Sequence, residues 1–291
     1  MLVVTTPTGR IGRHVLARLV AAGEPVRAVA RDRARIDPGP ASRVEVVEGS
    51  IDDAATIGKA LEGAEAVFWC IPESFRPADF REYYLGFSRP FADALAGSSV
   101  RRVVFVSSGG RGRSKGAGPI AAAHEVEELL EGTGVHLRAL RCGMFMENML
   151  HQVEPLRHQG MFFYPMNGDV AVPFCAARDI GARAADLLRD RSWTGQAGSA
   201  VHGPADLSMN EMARVMSEAL DRPIRFQEVP GPAYEASLVQ HGASESYAQG
   251  LVDMFRVMAG GMHSADPRTP ESTTPTAFEA WCGDTLKPAM G

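Results

Sequence analysis

The twelve residues Met1-Leu-Val-Val-Thr-Thr-Pro-Thr-Gly-Arg-Ile-Gly12 constrain the fold more than any other stretch of the chain. Leu2–Val4 is an apolar, β-branched run that reads as a buried first strand, and Thr5–Thr8 reads as a tight turn. Gly9 and Gly12 then open a helix whose apolar stripe is Ile11, Val15, Leu16, Leu19 and Val20. A strand feeding a glycine turn and a helix N-terminus aims unpaired backbone N–H groups and a positive dipole end at an anion. The pyrophosphate of a dinucleotide is held in this way, and the turn is glycine-rich because the backbone must approach both the phosphates and the neighbouring strand. Thr6 stands where a first glycine is expected, so two of three glycines are present. An ordinary strand–helix turn without a ligand is the plain alternative.

Beyond this unit, strands and helices alternate through the first half. Strands are predicted at Leu2–Thr5, Val26–Ala30, Val44–Glu48, Ala66–Cys70, Val103–Ser107 and His136–Leu140, with helices at Arg10–Ala22, Ala54–Leu61, Phe80–Ala96 and Ala121–Gly132. The strands are β-branched apolar runs rather than alternating ones, as expected when helices cover both faces of a sheet. This is the α/β, doubly wound parallel pattern of a Rossmann-type domain, with ligand expected across the carboxyl ends of the strands. After residue 141 the alternation breaks down. Gly143–Gln152 reads as helical, Gly160–Pro173 as aromatic and turn-rich, and Ala177–Arg189 as an amphipathic helix. A strand at Ala200–His202, a helix at Ser208–Leu220, a strand at Ile224–Val229 and helices at Ala233–Val239 and Ser246–Met258 follow, before a Pro/Ser/Thr-rich tail docked by Phe278 and Trp281. The expected organisation is a dinucleotide-binding core over 1–141 and a small C-terminal α+β lobe over 142–291, interleaved with the sheet as a substrate lid.

A length of 291 residues, 45% hydrophobic and 22% charged, suits one large α/β domain with a small lobe. The net charge of −5 argues against a general nucleic-acid or membrane-surface binder. Cys70, Cys142, Cys175 and Cys282 lie far apart without a Cys-x-x-Cys and read as reduced thiols of a cytoplasmic protein. His151 and His158 are seven apart, but no carboxylate or cysteine completes a metal site, so both read as structural or surface groups and no metal is expected. No apolar segment reaches the roughly 18 residues of a membrane span, and a chain beginning in a strand predicts no cleavable leader.

The second strand bears on the cofactor. An NAD site places a carboxylate at its end to bind the ribose hydroxyls. Here Val26–Ala30 runs into Arg31, with Asp32, Arg33 and Arg35 behind it. The planar fork of arginine suits a 2′-phosphate, so NADP(H) is expected over NAD(H). Asp32 as an NAD-type acid, or arginines that merely solvate a loop, are the competing readings.

Several segments together resemble the NmrA-like branch of the atypical short-chain dehydrogenases/reductases. They are Thr-Gly-Arg-Ile-Gly12, Val-Arg-Ala-Val-Ala-Arg31, Gly49-Ser-Ile-Asp-Asp53, Val-Phe-Val-Ser-Ser108, Glu127 with Leu-Arg-Cys-Gly-Met-Phe-Met-Glu-Asn148, Arg178-Asp-Ile and Thr274-Pro-Thr-Ala-Phe-Glu-Ala-Trp281. The resemblance spans essentially the whole chain. It implies an NADP-binding Rossmann domain with a small C-terminal lobe, the dinucleotide lying against Thr6, Thr8, Gly9, Arg10, Ile11, Gly12, Arg31, Ser50, Ile51, Cys70, Ile71 and Ser107. Thr6 in place of a glycine and Ser50 in place of an aspartate depart from the usual pattern.

The larger departure concerns proton transfer. Related reductases use Tyr-x-x-x-Lys, in which the lysine lowers the pKa of the tyrosine. None of the five tyrosines has a lysine four residues later, and the chain has only Lys59, Lys115 and Lys287. Aligning Glu127 places Ala123 at the lysine position and Pro119 at the tyrosine. His124, beside the vacancy, and Ser108, at the end of the fifth strand, are the remaining catalytic candidates. A packing histidine and a turn-capping serine are their plain alternatives.

On the acceptor side, Met144, Phe145, Asn148 and Phe162 follow the sixth strand within a Met- and aromatic-rich stretch, which is either a pocket for a flat apolar molecule or plain core. The leading expectation is an NADPH-dependent oxidoreductase reducing a small apolar, quinone-like or aromatic polyketide-like substrate. The rivals are a non-catalytic NADP(H)-sensing regulatory protein and a Rossmann protein turned to isomerisation or cyclisation. A homodimer through the lobe helices is compatible with the pattern. The Arg-rich, Lys-poor usage fits a GC-rich bacterial genome, where such proteins often serve biosynthesis.

Overall fold

The computed structural model describes residues 1–291, apart from the side chain of Pro38. Seven parallel strands form the central sheet: β1 (Leu2–Thr5), β2 (Val26–Ala30), β3 (Glu45–Glu48), β4 (Ala66–Trp69), β5 (Arg102–Ser108), β6 (His136–Cys142) and β10 (Gln196–Val201). They lie in the order β3-β2-β1-β4-β5-β6-β10, with the reversal between β1 and β4. The strands β1, β2 and β4 are buried at every position, Arg27 of β2 included, because helices cover both faces. On one face lie α1 (Gly12–Ala21) and α7 (Ala177–Arg189), which contact each other. On the other lie α3 (Ala54–Leu61), α4 (Phe80–Leu95) and α5 (Pro119–Gly132), the short α2 (Pro38–Ala41) having preceded β3. Local chemistry starts these helices where short polar side chains allow it. The Asp53 carboxylate accepts from the Thr56 N–H at α3 and the Asp79 carboxylate from the Glu82 N–H at α4.

The remaining elements build the lobe. The strands β7 (Met144–Phe145), β9 (Val172–Cys175) and β11 (Asp206–Leu207) form one small sheet, and β8 (Met161–Tyr164) and β12 (Arg225–Glu228) form another. Around them pack α6 (Val153–Gln159), α8 (Met209–Leu220), α9 (Gly231–Gln240), α10 (Glu245–Ala259), α11 (Phe278–Trp281) and α12 (Lys287–Met290). Ser208 and Glu211 form a reciprocal capping box at α8. The lobe core is rich in methionine, including Met146, Met149, Met209, Met212, Met216 and Met258, a side chain that fills irregular gaps.

Core and lobe are stitched together rather than linked. The chain leaves the core after β6 and returns through α7 and β10, so residues 177–201 of the second span complete the sheet. Gly118, at φ 48°, starts α5 where a Cβ would sit 2.1 Å from the Gly250 carbonyl oxygen of α10. The buried Glu147 carboxylate takes N–H donors from Ala177 of α7 and from the Trp281 indole, 2.9 and 3.0 Å away.

Three local expectations change. Gly143–Gln152, expected as a helix, is β7 followed by a tight helical turn over Met146–Gln152. The reason is Gly143, where a Cβ would lie 2.5 Å from the Pro173 oxygen, so two extended segments close on each other. Gly160–Pro173, expected as turn-rich, carries β8 and most of β9's approach, after Gly160 ends α6 in a left-handed cap. The strand expected at Ala200–His202 begins earlier, at Gln196.

Candidate cofactor and acceptor site

The carboxyl ends of β1, β2, β4, β5 and β6 line one edge of the parallel sheet, where a doubly wound fold with this reversal offers its ligand groove. Its floor begins with the turn between β1 and α1. Thr6 adopts φ 48°, the left-handed conformation a glycine would supply there, at a cost of about 1–3 kcal/mol for a β-branched residue. Its carbonyl lies against Gly12, where a Cβ would come within 2.1 Å of the oxygen. The departure at Thr6 therefore leaves the turn geometry in place. Helix α1 has no side-chain cap and no acidic residue in its first turn. Among the described residues, the backbone N–H groups of Arg10 and Ile11 donate to no protein acceptor. These residues fit the phosphates of a dinucleotide: donors are present, unspent, and unopposed by a carboxylate.

At the adenosine end, Arg31 leaves β2 exposed and makes no hydrogen bond or ion pair among the described residues. Asp32 instead caps the next turn, accepting from the Ala34 N–H at 2.9 Å. The carboxylate is committed and the guanidinium is not. Ser50 and the buried Ile51 follow β3 beside them. Tyr83, whose hydroxyl donates to the Pro72 carbonyl at 3.0 Å, closes this end. Burial raises its pKa, against the opposing effects of Ser74 and the Arg31 charge.

The middle of the groove is tied to the β4 end. Thr5 Oγ1 donates to the Phe68 carbonyl and accepts from the Cys70 N–H. Desolvation pushes the Cys70 thiol up to about 12, so it stays protonated and chemically quiet beside Ile71.

At the ends of β5 and β6 the polar groups are spent on one another. Glu127 of α5, wholly buried, accepts from Ser107 Oγ at 2.8 Å and from the guanidinium groups of Arg111 and Arg141. Burial pushes this carboxyl up, but Arg141, Ser107 and Arg111 outweigh it and hold it below the usual carboxylate range. Arg141 continues to Asp266, which accepts from the Gly110 N–H. His124 is buried with both ring nitrogens engaged: Nε2 lies 2.7 Å from the Ser108 carbonyl oxygen and Nδ1 lies 2.6 Å from Ser114 Oγ. A carbonyl can only accept, so Nε2 carries the hydrogen and Nδ1 accepts from the serine. Desolvation lowers its pKa, against the pull of the Ser108 carbonyl and Glu127. His124 thus stands as a neutral strut of the 108–114 loop, while the Ser108 side chain remains half-buried at the groove.

The four residues expected on the acceptor side part company. Phe145 and Asn148 are half-buried beside the groove, Met144 is buried in its pairing with Phe174, and Phe162 is fully buried in the lobe core against Phe226. The aromatic wall comes from elsewhere. Phe75 meets Tyr247 and His151 edge-on, each at 5.2 Å, and Phe80 packs on Tyr84 and Tyr247. Burial raises the Tyr84 and Tyr247 hydroxyls above the usual tyrosine range. Arg10, Glu73 and His151 gather at the same mouth. Glu73, Tyr83, Tyr84, Tyr247 and the Arg111–Glu127–Arg141 network escape sequence reasoning because their partners lie up to some 170 positions apart with no periodic signal. A shallow concavity of about 650 Å³ also occurs on the tail, lined by prolines, threonines and Arg268, away from these groups. Among the described residues no His/Cys/Asp/Glu group could hold a metal ion, and no helix is long and apolar enough to cross a membrane.

Relatives with assigned activities share this plan. The (4-alkanoyl-5-oxo-2,5-dihydrofuran-3-yl)methyl phosphate reductase of Streptomyces griseus is 30% identical over 287 residues, covering 98% of this chain and 97% of its own. The NAD(P)H azoreductase of Xenophilus azovorans is 28% identical over 258 residues, covering 88% and 86% respectively. The NADPH-dependent quinone oxidoreductase of Escherichia coli, solved with NADPH, superposes with a TM-score of 0.81 at 19% identity, over 98% of this chain and 99% of that one. The family model described as NmrA-like matches residues 1–279, and with the Rossmann sheet and glycine turn in place the chain belongs to the NmrA-like family.

Proposed function

We propose that this chain is an NADPH-dependent reductase of small, planar, electron-poor acceptors: quinones, azo compounds and alkenes conjugated to carbonyl groups. The observation that carries the reading is the contrast at the strand ends between an uncommitted Arg31 and a committed His124. NADPH, when bound, supplies the hydride. Arg31 would hold its 2′-phosphate, and the turn from Thr6 to Gly12 its pyrophosphate, with Ser50, Ile51, Cys70, Ile71 and Ser107 lining the path between them.

The acceptor end offers no strong acid. Pro119 and Ala123 occupy the positions where related reductases place tyrosine and lysine, His124 is neutral and fully engaged, and the Tyr84 and Tyr247 hydroxyls are hydrogen-bond donors rather than acids. The acceptor must therefore tolerate the arriving electron pair on its own oxygen or nitrogen until water protonates it. Quinones, azo groups and doubly activated alkenes do so, and simple ketones do not. The names of the three relatives share this chemistry: a quinone, an azo bond, and an alkene flanked by an alkanoyl and a lactone carbonyl whose methyl group bears a phosphate. Phe75 and Tyr247 would supply an apolar face for a flat ring, and the half-buried Ser108 and Asn148 would supply polar contacts.

The test is absorbance at 340 nm with NADPH or NADH and a series running from 1,4-naphthoquinone through an acyl butenolide to a simple ketone. Turnover confined to the activated acceptors, and faster with NADPH at low cofactor, is expected. Tight NADPH binding without oxidation by any member would replace the reductase with the NADP(H)-sensor reading, which the missing acid group also favours.

A further inference from the structure

The mouth of the groove holds a charged cluster that cofactor binding does not account for. The backbone of Arg10 belongs to the glycine turn, but its guanidinium reaches the lobe, donating to the Glu147 carbonyl at 3.0 Å and lying 3.1 Å from His151 Nε2. The same Nε2 lies 3.3 Å from Glu73 Oε1, and Glu73 lies 3.9 Å from the Arg10 guanidinium. One nitrogen cannot serve both neighbours. Without a proton Nε2 accepts from Arg10 and confronts the carboxylate; with a proton it donates to Glu73 and confronts the cation. At least one contact in the cluster is therefore unsatisfied in any protonation state.

Glu73 is the member able to leave. Its backbone neighbours are pinned, Pro72 accepting from the Tyr83 hydroxyl and the Phe75 carbonyl from the Ser244 N–H. Its side chain is 47% exposed, and its carboxylate is engaged only by His151 and Arg10. Burial pushes its pKa up, yet the His151 hydrogen bond and the Arg10 charge outweigh this, so the carboxylate is an anion where it sits. With Glu73 rotated out and Nε2 carrying a proton, Arg10 and His151 present two N–H donors side by side, next to the Phe75 ring that meets His151 edge-on.

We propose that Arg10 and His151 form an anion subsite for a negatively charged substituent, a phosphate or sulfonate, carried by the planar acceptor, and that Glu73 is the internal anion this group displaces. The subsite rests on the reductase reading for the identity of its ligand as substrate. A dinucleotide phosphate has the same chemistry, and the measurement must separate the two sources.

Titration calorimetry of 1-naphthyl phosphate, a redox-inert aryl anion, into the full chain alone and saturated with NADP+ makes that separation, with 1-naphthol as the neutral control. Binding that persists under saturating NADP+ is expected. His151→Gln should weaken it by about tenfold and Glu73→Gln should tighten it several-fold, while 1-naphthol moves less than twofold in either. The opposite signs of the two variants distinguish displacement from general damage to the groove. Loss of naphthyl phosphate binding when NADP+ is present assigns the donors to the cofactor and overturns the proposal. Weaker binding in Glu73→Gln, or equal changes for the phosphate and the naphthol, overturns it as well. The wild-type comparison needs no variant to fold, and none of these readings needs turnover, so failure of the 340 nm assay would remove the reductase reading without deciding the subsite.

Discussion

The two ends of the groove are built in opposite ways. At the adenosine and pyrophosphate end donors are left unspent: among the described residues Arg31 makes no hydrogen bond or ion pair, the Arg10 and Ile11 N–H groups donate to no protein acceptor, and α1 begins without a side-chain cap. At the ends of β5 and β6 the strong polar groups are already matched: Ser107, Arg111 and Arg141 converge on Glu127, and His124 spans Ser108 and Ser114. The first end binds by charge and the second provides a rigid, neutral floor. A reductase of self-activated acceptors needs this division, since cofactor affinity must come from the protein while the reactivity comes from the acceptor.

The largest break in this contrast comes from Glu127→Ala. It removes the buried acceptor shared by Ser107, Arg111 and Arg141, leaving Arg111 with Glu131 and Arg141 with Asp266 beside a void, and a loss of about 3 kcal/mol in urea unfolding is expected. A loss below about 1 kcal/mol would show that the network is solvated and the floor is not rigid. A second break is titration of the tail that braces this floor through Asp266. Burial and the neighbouring His202 lower His263 to about 4, against Asp206 and Asp266. The unfolded chain, with a histidine near 6.5, takes up a proton that the native state refuses. Stability is therefore full above pH 6.5 and falls as the pH drops towards 4, by at most about 3 kcal/mol from this residue. Unfolding at pH 7 and pH 5 should show the loss, and His263→Gln should flatten it; an unchanged slope would remove His263 as its source. The smallest effect sharpens the other end. Arg31→Ala should raise the NADPH Kd by about 10–100-fold and leave NADH within about threefold, because only the 2′-phosphate is lost. Equal weakening of both would make Arg31 a general electrostatic or stacking contact.

The legible parts of the molecule were those written in local pattern. Leu2–Val4 and Ala66–Trp69 announce buried parallel strands because nothing polar interrupts them, and Val26–Ala30 does so around the single Arg27. Gly9 and Gly12 announce the turn because a side chain would strike the preceding loop. What stayed hidden depended on distant partners. Gly143 turns an apparently helical segment into a strand only because Pro173 lies against it, and Phe162 becomes core only because β12 covers it. Asp32, legible in the sequence as an NAD-type acid, is a turn cap because the Ala34 N–H lies beside it. His151 looked like a surface residue because Glu73, 78 positions earlier, carries no signal linking the two.

The return of the chain to its own sheet has a consequence for how the protein is made. β6 ends at Cys142 and its neighbour β10 begins at Gln196, with the strands and turns of the lobe between them. During synthesis the nascent core therefore exposes the edge of β6, a row of unpaired backbone groups, until some sixty further residues have cleared the ribosome. Pairing of β10 then closes a long loop at an entropic cost that grows only slowly with its length. Residues 143–195 must thus be made before the sheet is sealed, while β11 and β12, the partners of β9 and β8, arrive only afterwards, and a ribosome stalled between β6 and β10 would release a chain primed for edge-to-edge aggregation rather than a working half-protein.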